Sequence, residues 1–235
     1  MTSFLHRYEL DTSAPTVAQA ARDAAVRALA PAVLWWAVVV GLGLLITGPL
    51  DGLPAERAVS EWFAEHRVDW LDSATSVMSN IGATLFIITA CVVAIATLWW
   101  RTRQWWFALV PGLAVALQAL VFLTSSLVVG RERPEVEKLD DSPPTTAYPS
   151  GHTGASTAFY LTMAFLAQRI RRAWLRRLVT VLVLLVPLGV GTARLYRGMH
   201  SLTDVLVGAA NGVVCALLAW NYLRRDTSGA VRSAG

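Results

Sequence analysis

Apolar residues gather into six long runs, roughly 31–50, 76–100, 105–129, 151–168, 178–194 and 204–222, and the short stretches between them hold most of the charge. Each run is near the ~20 residues that a helix needs to cross the hydrocarbon core of a bilayer. The pattern therefore predicts an all-α fold, a six-span transmembrane helical bundle. The fourth run is the weakest, because Ser150, His152, Thr153, Ser156 and Thr157 crowd its start. Three segments follow: an N-terminal cytoplasmic part over 1–30, a membrane domain over 31–222 and a cytoplasmic tail over 223–235. Within the first, residues 14–30 mix Ala, Val and Leu with Arg22, Asp23 and Arg27, and fit either a helix on the inner surface or a solvated one. Residues 51–72 are acidic and carry Trp62, Phe63 and Trp70, and are expected to form an outer loop with interfacial aromatics. The first run follows a polar lead of about thirty residues and has no clear small-x-small cleavage site, so it is read as a retained span.

Composition supports the membrane reading. Only 15% of the 235 residues are charged and 55% are hydrophobic, against about 25% charged in an ordinary soluble domain. The net charge of +4 does not imply nucleic acid, since the basic residues sit in connections rather than in a stripe with interleaved aromatics. Cys91 and Cys215 both lie inside apolar runs and read as small buried side chains. Gly208 and Gly212 form a GxxxG pair in the sixth run, suited to close packing within the bundle, with a dimer interface as the alternative.

Charge also orients the chain. With the N-terminus inside, 13 of the 20 basic residues fall on the inner side, including the cluster Arg169, Arg171, Arg172, Arg176 and Arg177, while 12 of the 16 acids fall outside. A basic excess in cytoplasmic connections is the usual arrangement. The third run then ends outside before Arg131 and Arg133, the fourth starts outside at Ser150 to His152, the fifth ends outside at Arg194, and the sixth starts outside at His200 to Asp204. Three polar stretches, distant in sequence, are expected to meet at the outer face of the plasma membrane.

Their chemistry suits phosphoryl transfer. His200 and Asp204 are four apart, a spacing that places them on one face of a helix, where a carboxylate bonded to the imidazole makes the ring a competent nucleophile. A structural His–Asp contact is the alternative for that pair. His152 suits the general acid that protonates a leaving alkoxide and then activates water. Ser150 and the backbone N–H groups around Gly151 stand at a helix start, an anion-binding position, although Pro-Ser-Gly-His also reads as a plain helix cap. Arg133 and Arg194 offer forked donors for phosphate oxygens. Arg131 and Arg197 are further candidates, or else lipid-headgroup contacts. A metal held by His152, His200 and Asp204 is the competing use, disfavoured by the neighbouring arginines and the lack of further carboxylates. His6 and His66 read as solvated.

The order Arg133-Pro134, then Pro149-Ser150-Gly151-His152, then Arg194, five residues, His200, three residues and Asp204 resembles the type-2 phosphatidic acid phosphatase superfamily over roughly residues 72–222. The resemblance implies a cofactor-free, metal-independent lipid-phosphate phosphohydrolase with His200 as nucleophile, Asp204 as its partner, His152 as general acid, and Arg133, Ser150, Gly151 and Arg194 as phosphate ligands. Two positions depart from that pattern. Ser126 stands where the family has lysine seven residues before the arginine, and Ala193 stands where a serine precedes the later arginine. Arg131, two residues before Arg133, is the expected replacement for the lysine charge. The expected partners are the bilayer and a lipid phosphate, namely a polyprenyl (di)phosphate, phosphatidic acid or phosphatidylglycerophosphate, with no nucleic acid and the oligomeric state open. Competing functions are a phosphotransferase using the same site and a non-catalytic lipid-phosphate binder or transporter.

Overall fold

The computed structural model describes residues 2–5, 13–141 and 145–224. The surroundings of His6 and the tail beyond Arg224 lie outside the described residues. After a single turn at Thr2–Leu5 the described residues form eight longer helices, α1 (Val17–Thr47), α2 (Ala55–Glu65), α3 (Asp69–Ile81), α4 (Thr84–Thr102), α5 (Val110–Val129), α6 (Gly151–Ala167), α7 (Ala173–Tyr196) and α8 (Leu202–Asn221), with one further turn at Trp105–Ala108 between α4 and α5. No described residue is in a strand. Five of the helices, α1, α4, α5, α7 and α8, are long and apolar enough to cross a membrane. Exposed Leu85, Leu127 and Leu188 belong to three of them, an arrangement that fits hydrocarbon surroundings rather than water.

The remaining long helix, α6, has 17 residues, at the lower bound of a spanning length. It is nonetheless the centre of the bundle, packed against α8, α7, α5 and α4. Its hydroxyls are reconciled with that position by bonding to its own backbone. Thr157 donates to the Thr153 carbonyl at 2.7 Å, Ser156 to the same carbonyl at 3.0 Å and Thr162 to the Ala158 carbonyl at 2.8 Å. The contact with α8 is close because Gly208 and Gly212 leave room for it. A Cβ on Gly208 would lie 2.5 Å from the Ser150 carbonyl oxygen, and one on Gly212 would lie 2.5 Å from that of Gly154. The GxxxG pair thus packs within the chain. Asn211 joins three helices, accepting from Trp35 Nε1 at 3.0 Å and donating to the Gln118 carbonyl at 3.2 Å.

Three boundaries differ from those of the apolar pattern. Residues 14–30 do not form a separate element: a capping box at Thr16 and Gln19 opens α1, which runs on through a π-helical segment, Ala25–Leu29, into Ala30–Thr47. Pro31 has no N–H to offer the Arg27 carbonyl, and that carbonyl accepts from Asn221 Nδ2 at 3.3 Å instead. The second apolar run is split at Gly82, so that its start belongs to α3 and only its remainder to α4. The segment 51–72, expected as a loop, is largely helical, as α2 and the start of α3, with Trp62 and Trp70 exposed. α2 and α3 both pack on α7. Cys91 and Cys215 are buried and free.

Candidate active site

Backbone contacts assemble the site at the end of the bundle where α5 and α7 finish and α6 and α8 start. α5 stops at Gly130, whose φ of +66° lets the chain turn sharply. The segment after it is pinned to the one before α6 by Ala147 N–H donating to the Arg131 carbonyl at 2.9 Å. Ser150 N–H donates to the Asp204 backbone carbonyl at 2.9 Å, which sets the starts of α6 and α8 side by side.

A cavity of about 280 Å³ opens there. Arg133, Gly151, His152, Arg194 and His200 form its polar end, and Ile87, Val115 and Phe122 are among its apolar walls. Five of the residues expected in one site are therefore together. Arg133 is held by the Met199 carbonyl at 2.7 Å and the Thr145 carbonyl at 3.1 Å. Arg194 donates through Nη1 to Ser79 Oγ at 2.8 Å and Asp140 Oδ2 at 2.7 Å. Its Nε is buried with no hydrogen-bond partner among the described residues, and a buried donor of this kind calls for an acceptor. At the first turn of α6, the N–H groups of Gly151 and His152 are among those that a helix leaves unpaired, and with the helix dipole they favour an anion.

His200 sits just before α8, which begins at Leu202 after the cap Ser201, so the spacing to Asp204 is not a helical one. The expected carboxylate–imidazole hydrogen bond is absent: His200 Nδ1 lies 4.0 Å from Asp204 Oδ2 and 2.7 Å from the Ala147 carbonyl oxygen. A carbonyl accepts only, so Nδ1 carries the proton and Nε2 keeps its lone pair. Burial, then the charges of Arg194 and Arg133, hold the ring well below the ordinary imidazole range. His200 is thus neutral at pH 7.

Asp204 does two other things. Oδ2 accepts from Ser201 N–H at 2.7 Å, closing a capping box at the start of α8, and Oδ1 accepts from Arg131 Nη1 at 2.7 Å. Arg131 also donates to Thr203 Oγ1 at 2.7 Å and, through Nη2, to Glu56 Oε2 and the Gly52 carbonyl, both at 2.8 Å. This corrects the expectation for Arg131. Both terminal nitrogens are occupied by carboxylates and their neighbours, and the side chain is not in the cavity wall. Although two apart in sequence, Arg131 and Arg133 do not send their side chains to one place, because Glu56 and Asp204 hold Arg131. Ser150 is likewise outside the cavity wall, its Oγ paired with Thr153 Oγ1 at 2.9 Å. Ser126 is buried in the last turn of α5 and does not line the cavity either. Arg197 does not line the cavity either: it is buried, with Nε 2.8 Å from Asp140 Oδ1 and Nη2 2.8 Å from the Leu139 carbonyl.

Sequence reasoning missed Asp140, Ser79, Glu56 and the Ala147 carbonyl. Asp140 anchors Arg194 and Arg197 together. Burial works against its ionisation, yet the two arginines hold its carboxyl below the usual carboxylate range. Nothing local marks it: it stands beside Asp141 in a loop, and its partners are 54 and 57 residues away. Among the described residues no group of three His, Cys, Asp or Glu is arranged to hold a metal ion.

Comparison with known proteins matches residues 105–228 to the sequence profile of the PAP2 superfamily. The chain is 27% identical over 177 residues to phosphatidylglycerophosphatase B of Bacillus subtilis (strain 168), covering 72% of this chain and 83% of that one. The crystal structure of a transmembrane PAP2-type phosphatidylglycerolphosphate phosphatase from Bacillus subtilis superposes with a TM-score of 0.69 at 21% identity, over 88% of this chain and 96% of the other. Aquifex aeolicus LpxE superposes with a TM-score of 0.54 at 19% identity, over 69% and 92%. The helical bundle is thus shared with both solved structures, the first of them transmembrane.

Proposed function

The chain belongs to the PAP2 superfamily, and from that premise we propose that it is a metal-independent lipid-phosphate phosphohydrolase working through a phosphohistidine at the outer face of the membrane. One observation carries the reading: two arginines and two histidines share one cavity with a mostly apolar remainder that includes Ile87, Ile88, Val115, Phe122 and Leu123. The phosphate docks between Arg133 and Arg194 at the start of α6, where fixed positive charge meets the charge that spreads over its oxygens in the transition state. His200 Nε2 attacks phosphorus, a nitrogen–phosphorus bond forms and the ester oxygen–phosphorus bond breaks. His152 gives its proton to the departing alkoxide. The same residue then takes a proton from water, which attacks the phosphohistidine, releases inorganic phosphate and restores His200. The Ala147 carbonyl, 2.7 Å from Nδ1, and the Asp204 carboxylate, 4.0 Å from it, stabilise the positive ring of the intermediate.

The lipid tail runs from the polar end along Ile87, Ile88, Phe122 and Leu123 on α4 and α5. Ile88 and Leu123 are also exposed on the outside of the bundle, so a tail can reach the cavity from the bilayer. The Bacillus subtilis relative makes phosphatidylglycerophosphate the first substrate to try, beside phosphatidic acid and polyprenyl phosphates. The test is phosphate release by the purified protein in detergent with EDTA present. Turnover is expected with EDTA, and His200→Ala is expected to lose all but a trace of it. Activity that EDTA abolishes and a divalent ion restores overturns the mechanism. A His200→Ala enzyme with more than about a tenth of the original turnover, a loss of under ~1.4 kcal/mol, overturns the nucleophile.

A further inference from the structure

Gln118 is a polar side chain in an apolar place. It lies on α5, is 1% exposed, and its Nε2 is buried with no hydrogen-bond partner among the described residues. It also lines the cavity that holds Arg133, His152, Arg194 and His200. A buried amide without a partner is costly, and such groups in folded proteins call for an explanation. Packing alone does not provide one, since leucine or methionine would fill the same volume at no polar cost.

Its depth is defined by α6. A Cβ placed on Gly154 would lie 2.3 Å from Gln118 Nε2, whereas one placed on Gly151 would meet Phe122, 2.8 Å away. The amide is therefore level with Gly154, three residues or about 4.5 Å further along α6 than Gly151. Gly151 and His152 mark where the phosphate docks, so the amide stands one helical turn beyond it, on the path of the tail. The amide has a donor and an acceptor, and its two ends exchange by a flip of the group.

We propose that Gln118 binds the oxygen on the second carbon of a glycerol phosphate and so selects glycerol-based lipid phosphates. The inference rests on the phosphatase reading above. In a glycerol phosphate that oxygen is four bonds from phosphorus, ~4–5 Å away in an extended chain of ~1.5 Å bonds, which matches the depth of the amide. It is an ester oxygen in phosphatidic acid and a hydroxyl in phosphatidylglycerophosphate, and the flip of the amide serves either. A polyprenyl monophosphate has only carbon there and leaves the amide unpaired, which selects against it.

Gln118→Met keeps the volume and removes the amide. The measurement is kcat/KM in detergent for phosphatidic acid, phosphatidylglycerophosphate, a polyprenyl monophosphate and a polyprenyl diphosphate. For the two glycerol lipids a loss of about three- to tenfold is expected, the worth of one neutral hydrogen bond. For the polyprenyl monophosphate, kcat/KM is expected to rise, because the amide that its carbon left unpaired is gone, which also shows that the variant is folded. An equal loss on all four lipids overturns the proposal and makes Gln118 a packing residue, as does loss of every activity in both Gln118→Met and Gln118→Leu. A loss confined to the diphosphate also overturns it, by assigning the amide to a second phosphate. If the unaltered protein releases phosphate from no lipid, the phosphatase reading fails instead.

Discussion

At Arg131 the chain's motif and its structure part company. The side chain bridges Asp204 and Glu56 while almost wholly buried, and Glu56 in turn accepts from Thr203 N–H at 2.5 Å and Thr203 Oγ1 at 2.9 Å. The network ties α2 to the first turn of α8, two residues after His200. Removing one partner of a buried ion pair costs about 3–5 kcal/mol, because the other charge stays buried. Arg131→Ala is therefore expected to lower thermal stability in detergent and to depress kcat through a displaced α8 start, with KM little changed. A phosphate ligand would show the opposite split, a raised KM at full stability. Glu56→Gln tests the same network: combined with Arg131→Ala it is expected to cost clearly less than the sum of the single losses. Additive effects would separate the two residues. The motif residues themselves could be read from spacing in the sequence. Their partners could not, because Glu56 is 75 residues from Arg131 and Ala147 is 53 from His200, and a backbone carbonyl has no sequence signature.

Among the elements, α6 is the one that hydropathy underrates. Its threonines and serines dilute the apolar signal, yet their hydroxyls are satisfied by carbonyls one turn back, so the helix can be the innermost of the bundle. The apolar pattern located α5, α7 and α8 closely, but α1 begins at Val17, well before the run that starts near Pro31. It misplaced the junction of α3 and α4 and missed α2, since both are short, amphipathic and bounded by turns rather than by charge. The α6–α8 contact gives the sharpest element-level expectation. A Cβ on Gly212 would lie 2.5 Å from the Gly154 carbonyl oxygen and 2.5 Å from Thr157 Cβ, whereas one on Gly41 meets nothing within 4 Å. Overpacking of this kind costs about 1–3 kcal/mol. Gly212→Ala is expected to lower the melting temperature in detergent, and Gly41→Ala to leave it unchanged or raise it. Equal behaviour of the two variants would show that α6 and α8 separate without cost. Because the starts of these helices carry His152 and His200, Gly212→Ala is also expected to reduce kcat.

For the whole molecule the question is which side of the membrane the cavity faces. The cavity lies at the end of the bundle where Lys138, Asp140 and the helices α2 and α3 are found, and the opposite end carries the α6–α7 connection with Arg169, Arg171 and Arg172. Short connections rich in arginine stay in the cytoplasm, and this one holds Arg169, Arg171 and Arg172, with Arg176 and Arg177 following at the start of α7. The end with the cavity carries arginines too, but Arg131, Arg194 and Arg197 are each paired with a buried or half-buried carboxylate. They add little free charge to that side, whereas no Asp or Glu stands among residues 168–177. The fold thus strengthens a charge argument that sequence could make only by counting. Single cysteines placed at Lys138 and Arg172, in a chain whose buried Cys91 and Cys215 have been replaced by alanine, are expected to differ in intact cells. The one at 138 should react with a membrane-impermeant maleimide and the one at 172 only after permeabilisation. The reverse labelling would put the cavity at the cytoplasmic leaflet, and the lipid phosphates it meets would then be those of the inner membrane face.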